Sequence, residues 1–449
     1  MPLFHFHDAN LILPDGLAWV MAGLVVFIVA NVTVYSQRYL AGDRRQARHQ
    51  GTMLLLAVTT IIMVFSNHLL LLLTAWAVSN ALLVKLMIHQ PLWKAARQSG
   101  WLALKTFGVG LVLLGAGFWL LAEGAGTALI SNLMQNQSEL NTMSVAGLVL
   151  IALAALTQSA AWPFHRWLIS SLNSPTPVSA LMHAGLVNGG GFLLVRFASV
   201  YATQPMLLQF LFVAGLITAV LGTFWKLLQT DIKRMLACST MGQMGFMLMQ
   251  CGMGLFAPAI SHLCWHGLFK AYLFLSAGSY IREQRSRARA AALTPAGILV
   301  AIIAGVVGAA TFAIICGTPF SLADTRCLML ALAMMVTTQL AVGLLGERIH
   351  IIRVLGTMLA CTLAGGLYGL SILLVDSALA SLHRIAPQPM NVLYLSGLGM
   401  ITLMWLAMLF DIPARVQQLR WWKKLYVAAL NASQPHATTI TATRTAYQY

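Results

Sequence analysis

Apolar runs of about 20 residues, the length that crosses a bilayer as a helix, recur along almost the whole chain. No other feature constrains the fold as much. In a hydrocarbon layer every backbone N–H and C=O needs a partner within the protein, so a chain of such runs folds into helices. About 13 runs are legible from hydropathy. They lie near 16–37, 50–66, 68–88, 101–122, 143–161, 175–198, 206–227, 233–253, 256–281, 293–316, 327–346, 352–375 and 391–411. Hydrophobic residues make up 59% of the 449 positions and charged residues only 8%. No soluble domain is left over. The expectation is an all-α polytopic membrane bundle of about 13 transmembrane helices. Residues 1–411 are expected to form it. Residues 412–430, with Trp421, Trp422, Lys423 and Lys424, read as an amphipathic cytoplasmic segment. The polar residues 431–449 read as a disordered tail.

Basic residues are spread unevenly over the loops. Arg38, Arg44, Arg45 and Arg48 follow the first run; Lys94 and Arg97 follow the third. Lys233 and Arg234 lie at the seventh junction, Arg282, Arg285, Arg287 and Arg289 after the ninth, Arg348 and Arg353 after the eleventh. Arg415, Arg420, Lys423 and Lys424 follow the last. The intervening loops are poor in Lys and Arg; 123–142 holds Glu123 and Glu139 and no basic residue. By the positive-inside rule the N-terminus lies outside and the C-terminus in the cytoplasm of a bacterial inner membrane. The same placement accounts for the net charge of +16. Bases in short loops between spans face lipid headgroups and argue against a nucleic-acid partner.

Composition narrows the chemistry. The six cysteines form no CxxC pair and sit in or beside apolar runs, where a lone Cys acts as a small hydrophobe. Neither a disulfide framework, a metal site nor a cofactor is expected. No phosphate-binding glycine loop or nucleophile elbow is present, and the first residues lack the basic region of a cleavable leader.

The stretch from Trp162 to Phe197 breaks the apolar rule. It carries Pro163, Pro175, Pro177, His165, His183, Arg166 and Arg196. Such residues at membrane depth need protein or a water-filled cavity to satisfy the broken backbone. A broken helix is therefore expected around Pro175, Thr176 and Pro177, which remove two backbone donors. Later, His262, His266 and Lys270 follow at helical spacing and share one face. A Lys at the bilayer centre costs about 2.5–3.5 kcal/mol on insertion scales, so it needs a partner or water. Two imidazoles and an ammonium in a stripe can hold a water wire and pass protons. The same histidines can instead bond carbonyls of neighbouring helices. Zinc at His262 and His266 lacks a completing ligand. His183 reads as a channel residue or a hydrogen-bonded core histidine. Asp231 and Lys233 read as part of a polar axis, or as an N-cap and a snorkelling side chain.

Three ordered blocks carry a family resemblance. They are PTPVSALMHA at 175–184, QTDIKRMLACST at 229–240 with GQMGF at 242–246, and SHLCWHGLFKA at 261–271 with SAGS at 276–279. Together they resemble the proton-translocating membrane subunits of respiratory complex I and of multisubunit cation/proton antiporters. The resemblance implies antiporter-like broken helices and an ion path through His183, Lys233, His262, His266 and Lys270, with Gln158 and Asp231 beside it. It also exposes departures. Ala77, after Trp76, stands where the family has a glutamate; Gln158 stands where it has a lysine; Leu322 stands where it has a second lysine. A Glu–Lys pair works by shifting each partner's affinity for protons, and Ala and Gln cannot do this.

One branch fits the N-terminal half better. VYSQRYLAGD at 34–43, followed by Gln46 and Arg48, is similar to DabB-type subunits of inorganic carbon uptake complexes, as are 66–71 and Trp76. That branch implies a cytoplasmic DabA-like partner, with a zinc site, that turns CO2 into bicarbonate using an H+ or Na+ gradient. This chain would then be a transporter subunit with no carbon chemistry of its own. Two alternatives stay open: a cation/proton antiporter or complex I/hydrogenase-type pump subunit, and a non-conducting membrane anchor.

Overall fold

Side-chain caps set where several helices begin. The Asp15, Asn141, Asp231, Thr294 and Asn391 side chains each accept a hydrogen bond from a backbone N–H of the first turn that follows. The computed structural model describes residues 2–4, 10–135, 140–279, 294–319, 321–346, 350–382 and 385–440. The main helices are α1 (Gly16–Tyr39), α2 (Gln46–Phe65), α3 (Leu69–Met87), α4 (Lys94–Ala125) and α5 (Thr142–Gln158). Next come α6 (Thr176–Ala184), α7 (Gly189–Arg196), α8 (Pro205–Leu228), α9 (Ile232–Gly252) and α10 (Phe256–Leu275). The last are α11 (Pro295–Cys316), α12 (Arg326–Leu345), α13 (Ile351–Ala378), α14 (Val392–Leu409) and α15 (Arg420–Ala432). Among the described residues the β-structure consists of isolated bridges only.

The chain is an all-α, membrane-spanning bundle, as the hydropathy predicts. Ten segments are long and apolar enough to cross a membrane, counting 176–196 as one. The expected count of about 13 is not reached by that measure. The physical reason is composition and length. α9 and α10 carry lysines, histidines and hydroxyls, and α5 has only 17 residues. The glycines of α8 and α9 let these two helices touch backbone to backbone: a Cβ on Gly222 would meet the Gly242 nitrogen at 2.3 Å.

The 176–196 segment is buried over 94% of its most apolar window, whereas α14 is buried over 11%. The first is wrapped by other helices; the second leaves most of its surface uncovered by the rest of the chain. Two discontinuities sit in this wrapped region. Between α5 and α6 the chain runs through irregular backbone and two short helical turns, Arg166–Ile169 and Ser171–Asn173. Ala160 adopts a left-handed conformation there (φ 49°). Pro175 then caps α6, and Pro177 lies in its first turn, where a missing N–H is harmless. A second break separates α6 from α7, at the start of the glycine-rich stretch 186–191, whose sequence fits close helix packing and local unwinding equally. The backbone leaves the helical region at Gly185 (φ −115°, ψ −81°), and a 3-10 turn covers Leu186–Asn188.

Arg196 closes α7 with a fully buried guanidinium. It pairs with the Asp15 carboxylate and donates to the Val64 carbonyl at 2.8 Å. The far end of the chain is also fastened. Residues 431–440 were expected to be disordered, yet α15 runs to Ala432 and a short turn spans Ala437–Thr439. The His436 amide donates to Ser170 Oγ at 2.9 Å, and Asn173 Nδ2 donates to the Thr439 carbonyl at 2.9 Å. Backbone groups of a segment that looked solvated in sequence find side-chain partners, Ser170 and Asn173, on the broken region. Residues 441–449 lie outside the described residues, as do Arg282, Arg285, Arg287, Arg289 and Arg348.

Candidate functional site

α10 packs against α6 and α9, and this packing brings the predicted polar residues together. Lys270, 1% exposed, donates from Nζ to the Leu236 carbonyl of α9 at 3.0 Å. One turn further along α9, Thr240 Oγ1 lies 3.1 Å from Nδ1 of His183 on α6. The His183 ring stacks on Phe274 of α10 with centroids 4.4 Å apart. Lys233, at the start of α9, donates to the Ser174 carbonyl at 3.1 Å. Positions 233 and 240 differ by seven residues, so both lie on the α9 face that meets α6 and α10.

The row continues along α10. His266 and His262 stack nearly parallel, with ring centroids 6.1 Å apart, and His262 meets Phe246 edge-on at 5.0 Å. Nε2 of each of these histidines is buried without a hydrogen-bond partner. Ser261 Oγ lies 2.7 Å from Ser371 Oγ on α13, and Trp265 Nε1 donates to Ser371 Oγ at 3.0 Å. From Lys270 to His262 the row spans about 12 Å of helix axis.

Charge balance sets the chemistry. Among the described residues, the ion pairs are His89–Asp43, Arg196–Asp15 and Arg326–Asp324. Neither Lys233 nor Lys270 faces a carboxylate at ion-pair distance. A desolvated ammonium held only by a carbonyl is costly, and the groups available to share its proton are the neighbouring imidazoles. No group of three or more His, Cys, Asp or Glu among the described residues is placed to hold a metal ion.

The remaining predicted residues separate from this row. Asp231 caps α9, its Oδ1 accepting from the Arg234 amide at 2.9 Å, so its carboxylate is engaged at the helix start. Gln158 ends α5 and is paired with Asn80 of α3: Nε2 donates to Asn80 Oδ1 at 3.0 Å and to the Leu186 carbonyl at 3.2 Å. A cavity of about 30 Å³, lined by Trp76, Ser79, Gln158 and Gly189, adjoins that pair. Leu322 lies in the loop before α12 and is 71% exposed, outside any helix. Pro175, Thr176 and Pro177 form the start of α6.

Thr240, Asn80 and Ser371 were missed. Thr240 had a signal, a hydroxyl seven residues after Lys233 on a helix. The partner of Asn80 lies 78 residues away, and that of Ser371 lies 110 away. No local pattern points to either.

Comparison with known proteins places this arrangement. The fold resembles a chain of the Mrp complex from a Dietzia species, with TM-score 0.57, 25% sequence identity, 94% of this chain covered and 45% of that one. It also resembles the archaeal membrane-bound sulfane sulfur reductase in fold, with TM-score 0.54 and 16% identity over 92% and 82% of the two chains. Among curated proteins, the probable inorganic carbon transporter subunit DabB1 of Halothiobacillus neapolitanus is 39% identical over 60% of this chain and 50% of its own length. The chloroplast NAD(P)H-quinone oxidoreductase subunit 5 of Coffea arabica is 33% identical over 61% of this chain and 38% of its own. The chain thus spans about half the length, or less, of these curated relatives. Residues 66–349, well over half of the 449-residue sequence, match one family, and the chain belongs to it: the transmembrane proteins of NADH:quinone oxidoreductases and Mrp antiporters.

Proposed function

We propose that this chain is the proton-translocating membrane subunit of an energy-coupled inorganic carbon uptake complex. A cytoplasmic DabA-like partner with its own zinc carries out the CO2 and bicarbonate chemistry. The observation that carries the reading is the row His262–His266–Lys270 with His183 and Thr240, in which all but the half-buried His262 are buried and none faces a carboxylate at ion-pair distance. The kinship to DabB1 supports the carbon-uptake assignment. A proton leaving the Lys270 ammonium leaves a neutral amine and is taken by an imidazole nitrogen, which becomes imidazolium. The 6.1 Å between the His262 and His266 rings calls for water in the relay. Protons fit this lining better than Na+. A hard cation wants several oxygen ligands, and these residues offer nitrogen donors, one hydroxyl and a positive charge.

The basic loops put the Lys233–Ser174 end of the row on the cytoplasmic side, with the N-terminus outside and the C-terminus inside. Towards the outer face, a cavity of about 480 Å³ opens beside the start of α10, with Arg326 and Asp376 among its lining residues. Pro258 in its lining lies one helical turn before His262, and water filling this vestibule would approach the row from that side. The test is partner-dependent carbon uptake in Lys270→Met and His266→Phe, with membrane expression and complex formation measured in parallel. Uptake falling at least tenfold in both is the expected result. Normal uptake in both would refute conduction.

A non-conducting anchor is the second reading, and the neutral Asn80–Gln158 pair favours it. Under that reading both variants assemble and support uptake at the level of the unmodified chain. An antiporter or hydrogenase-type pump subunit would instead restore cation-dependent growth without the carbon partner.

A further inference from the structure

The cytoplasmic ends of α2 and α3 enclose a second charged site, far from the row on α9 and α10. A cavity of about 280 Å³ is lined by Arg45, Arg48, His49, Thr52, Lys85 and His89, among others. Three of these side chains are permanent cations. Arg45 Nη1 donates to the His89 carbonyl at 2.9 Å, which fixes one wall. The nearest acid, Asp43, is already engaged: its Oδ2 lies 2.8 Å from His89 Nε2 and its Oδ1 accepts from the Arg45 amide at 2.7 Å. Arg48 and Lys85 are exposed at the rim, beside the N-terminus of α2, whose free N–H groups also favour an anion.

The back wall supplies an independent observation. His49 is 3% exposed, yet neither ring nitrogen has a hydrogen-bond partner. Its ring meets that of His89 edge-on at 5.0 Å. Buried polar atoms are normally satisfied, so a histidine with two unpaired nitrogens in a cation-lined cavity points to a bound acceptor.

We propose that this pocket binds a phosphate-class oxyanion, and specifically the phosphodiester headgroup of an anionic phospholipid. Inorganic phosphate carries the same chemistry, but the surroundings favour lipid. The pocket lies where two membrane helices leave the bilayer, Arg38 and Arg44 flank it in sequence, and Leu92, 82% exposed, follows lining residue Pro91. Basic pockets between transmembrane helices on the cytoplasmic side are suited to such headgroups.

The test uses the purified full chain, stripped of lipid in detergent, with binding read by thermal melting against cardiolipin, phosphatidylcholine and inorganic phosphate. Arg48→Gln with Lys85→Gln removes two charges whose side chains hold no other part of the loop. Cardiolipin should stabilise the unmodified chain beyond phosphatidylcholine, and the double variant should bind it about twenty-five-fold more weakly. His49→Phe fills the back wall with an apolar ring and should weaken cardiolipin binding; it is read alone if the double variant misfolds. Stabilisation by inorganic phosphate alone, lost in the double variant, would overturn the lipid assignment and keep the oxyanion site. Equal effects of cardiolipin and phosphatidylcholine, or unchanged cardiolipin binding in every folded variant, would overturn the site.

Discussion

Asn80 and Gln158 hold each other through two amide hydrogen bonds, Nδ2 to Oε1 at 3.2 Å and Nε2 to Oδ1 at 3.0 Å. Both side chains are buried, at 5% and 4% exposure. The pair joins α3 to the end of α5, where the sequence pattern of the family leads one to look for a glutamate and a lysine. Ala77 cannot supply the acid, but Asn80 lies three residues on, on the same helix face. A reciprocal amide pair keeps a polar link between the two helices without any charge. It cannot hand a proton on by changing its ionisation.

This relationship predicts an asymmetry between single and paired substitutions. Asn80→Ala strands the Gln158 carboxamide in the core and should cost about 1–3 kcal/mol. Gln158→Lys alone buries an ammonium beside an amide and should destabilise at least as much. Asn80→Asp combined with Gln158→Lys restores an opposite-charge pair and should recover part of that loss. Thermal unfolding of these three variants, of Asn80→Asp alone and of the unmodified chain, all in one detergent, measures it. Additive losses in the double variant would show that the two side chains do not act as a unit.

How much of this was legible in sequence follows from how far each contact reaches. The His262–His266–Lys270 stripe was legible because helical spacing alone sets it. The break near Pro175 was legible because proline removes donors. The second break at Gly185–Asn188 was not, since Gly189, Gly190 and Gly191 fit helix packing as well as unwinding. Lys233 read equally well as a snorkelling side chain until its partner, the Ser174 carbonyl 59 residues earlier, was in place. The fastening of residues 431–440 depends on side-chain donors 200 or more positions away, on Asn173, Gln229 and Arg234. Composition can only report such a segment as polar.

Thr240 provides a test of the row. Thr240→Val keeps the shape and removes the hydroxyl that lies 3.1 Å from His183 Nδ1. The expected loss of stability is about 1–3 kcal/mol, because a buried imidazole nitrogen loses its partner. If the row conducts, transport should also shift in its pH profile, and Thr240→Ser should restore both properties. A purely structural Thr240 would change stability and leave the pH profile where it was.

Asp324 gives a pH signature beside the cavity that Arg326 lines. Bidentate hydrogen bonding from Arg326, at 2.7–3.1 Å, holds its carboxyl below the ordinary 3.8, against a smaller opposing effect of burial. A carboxyl with a depressed folded value contributes stability that is present above about pH 4 and is lost as pH falls through the folded value. The pair is partly exposed, so the contribution is below about 1 kcal/mol. Asp324→Asn should therefore lower the melting temperature slightly at pH 7, with the gap to the unmodified chain closing as pH falls below the folded value of Asp324. A gap that persists in acid would mean that the Asp324 charge is not its cause.

The C-terminal segment sits across the Lys233–Ser174 end of the row. Ala429 packs with Ile169, Trp225 and Cys238, while Gln229 Nε2 donates to Ser433 Oγ at 2.8 Å and Arg234 Nη1 donates to Gln434 Oε1 at 3.1 Å. With the contacts to Ser170 and Asn173, these bonds surround the turn whose Ser174 carbonyl receives Lys233. Deleting 433–449 removes the polar contacts but leaves Ala429 and the body of α15. The loss of several partly buried hydrogen bonds should cost about 2–4 kcal/mol. It should also admit water to Lys233 and raise the passive proton leak of proteoliposomes, measured with an entrapped pH dye. Substituting Lys270→Met in the truncated chain should abolish the added leak if it travels along the row. A leak that survives Lys270→Met would place the opened route elsewhere, at the gap between α9 and α15.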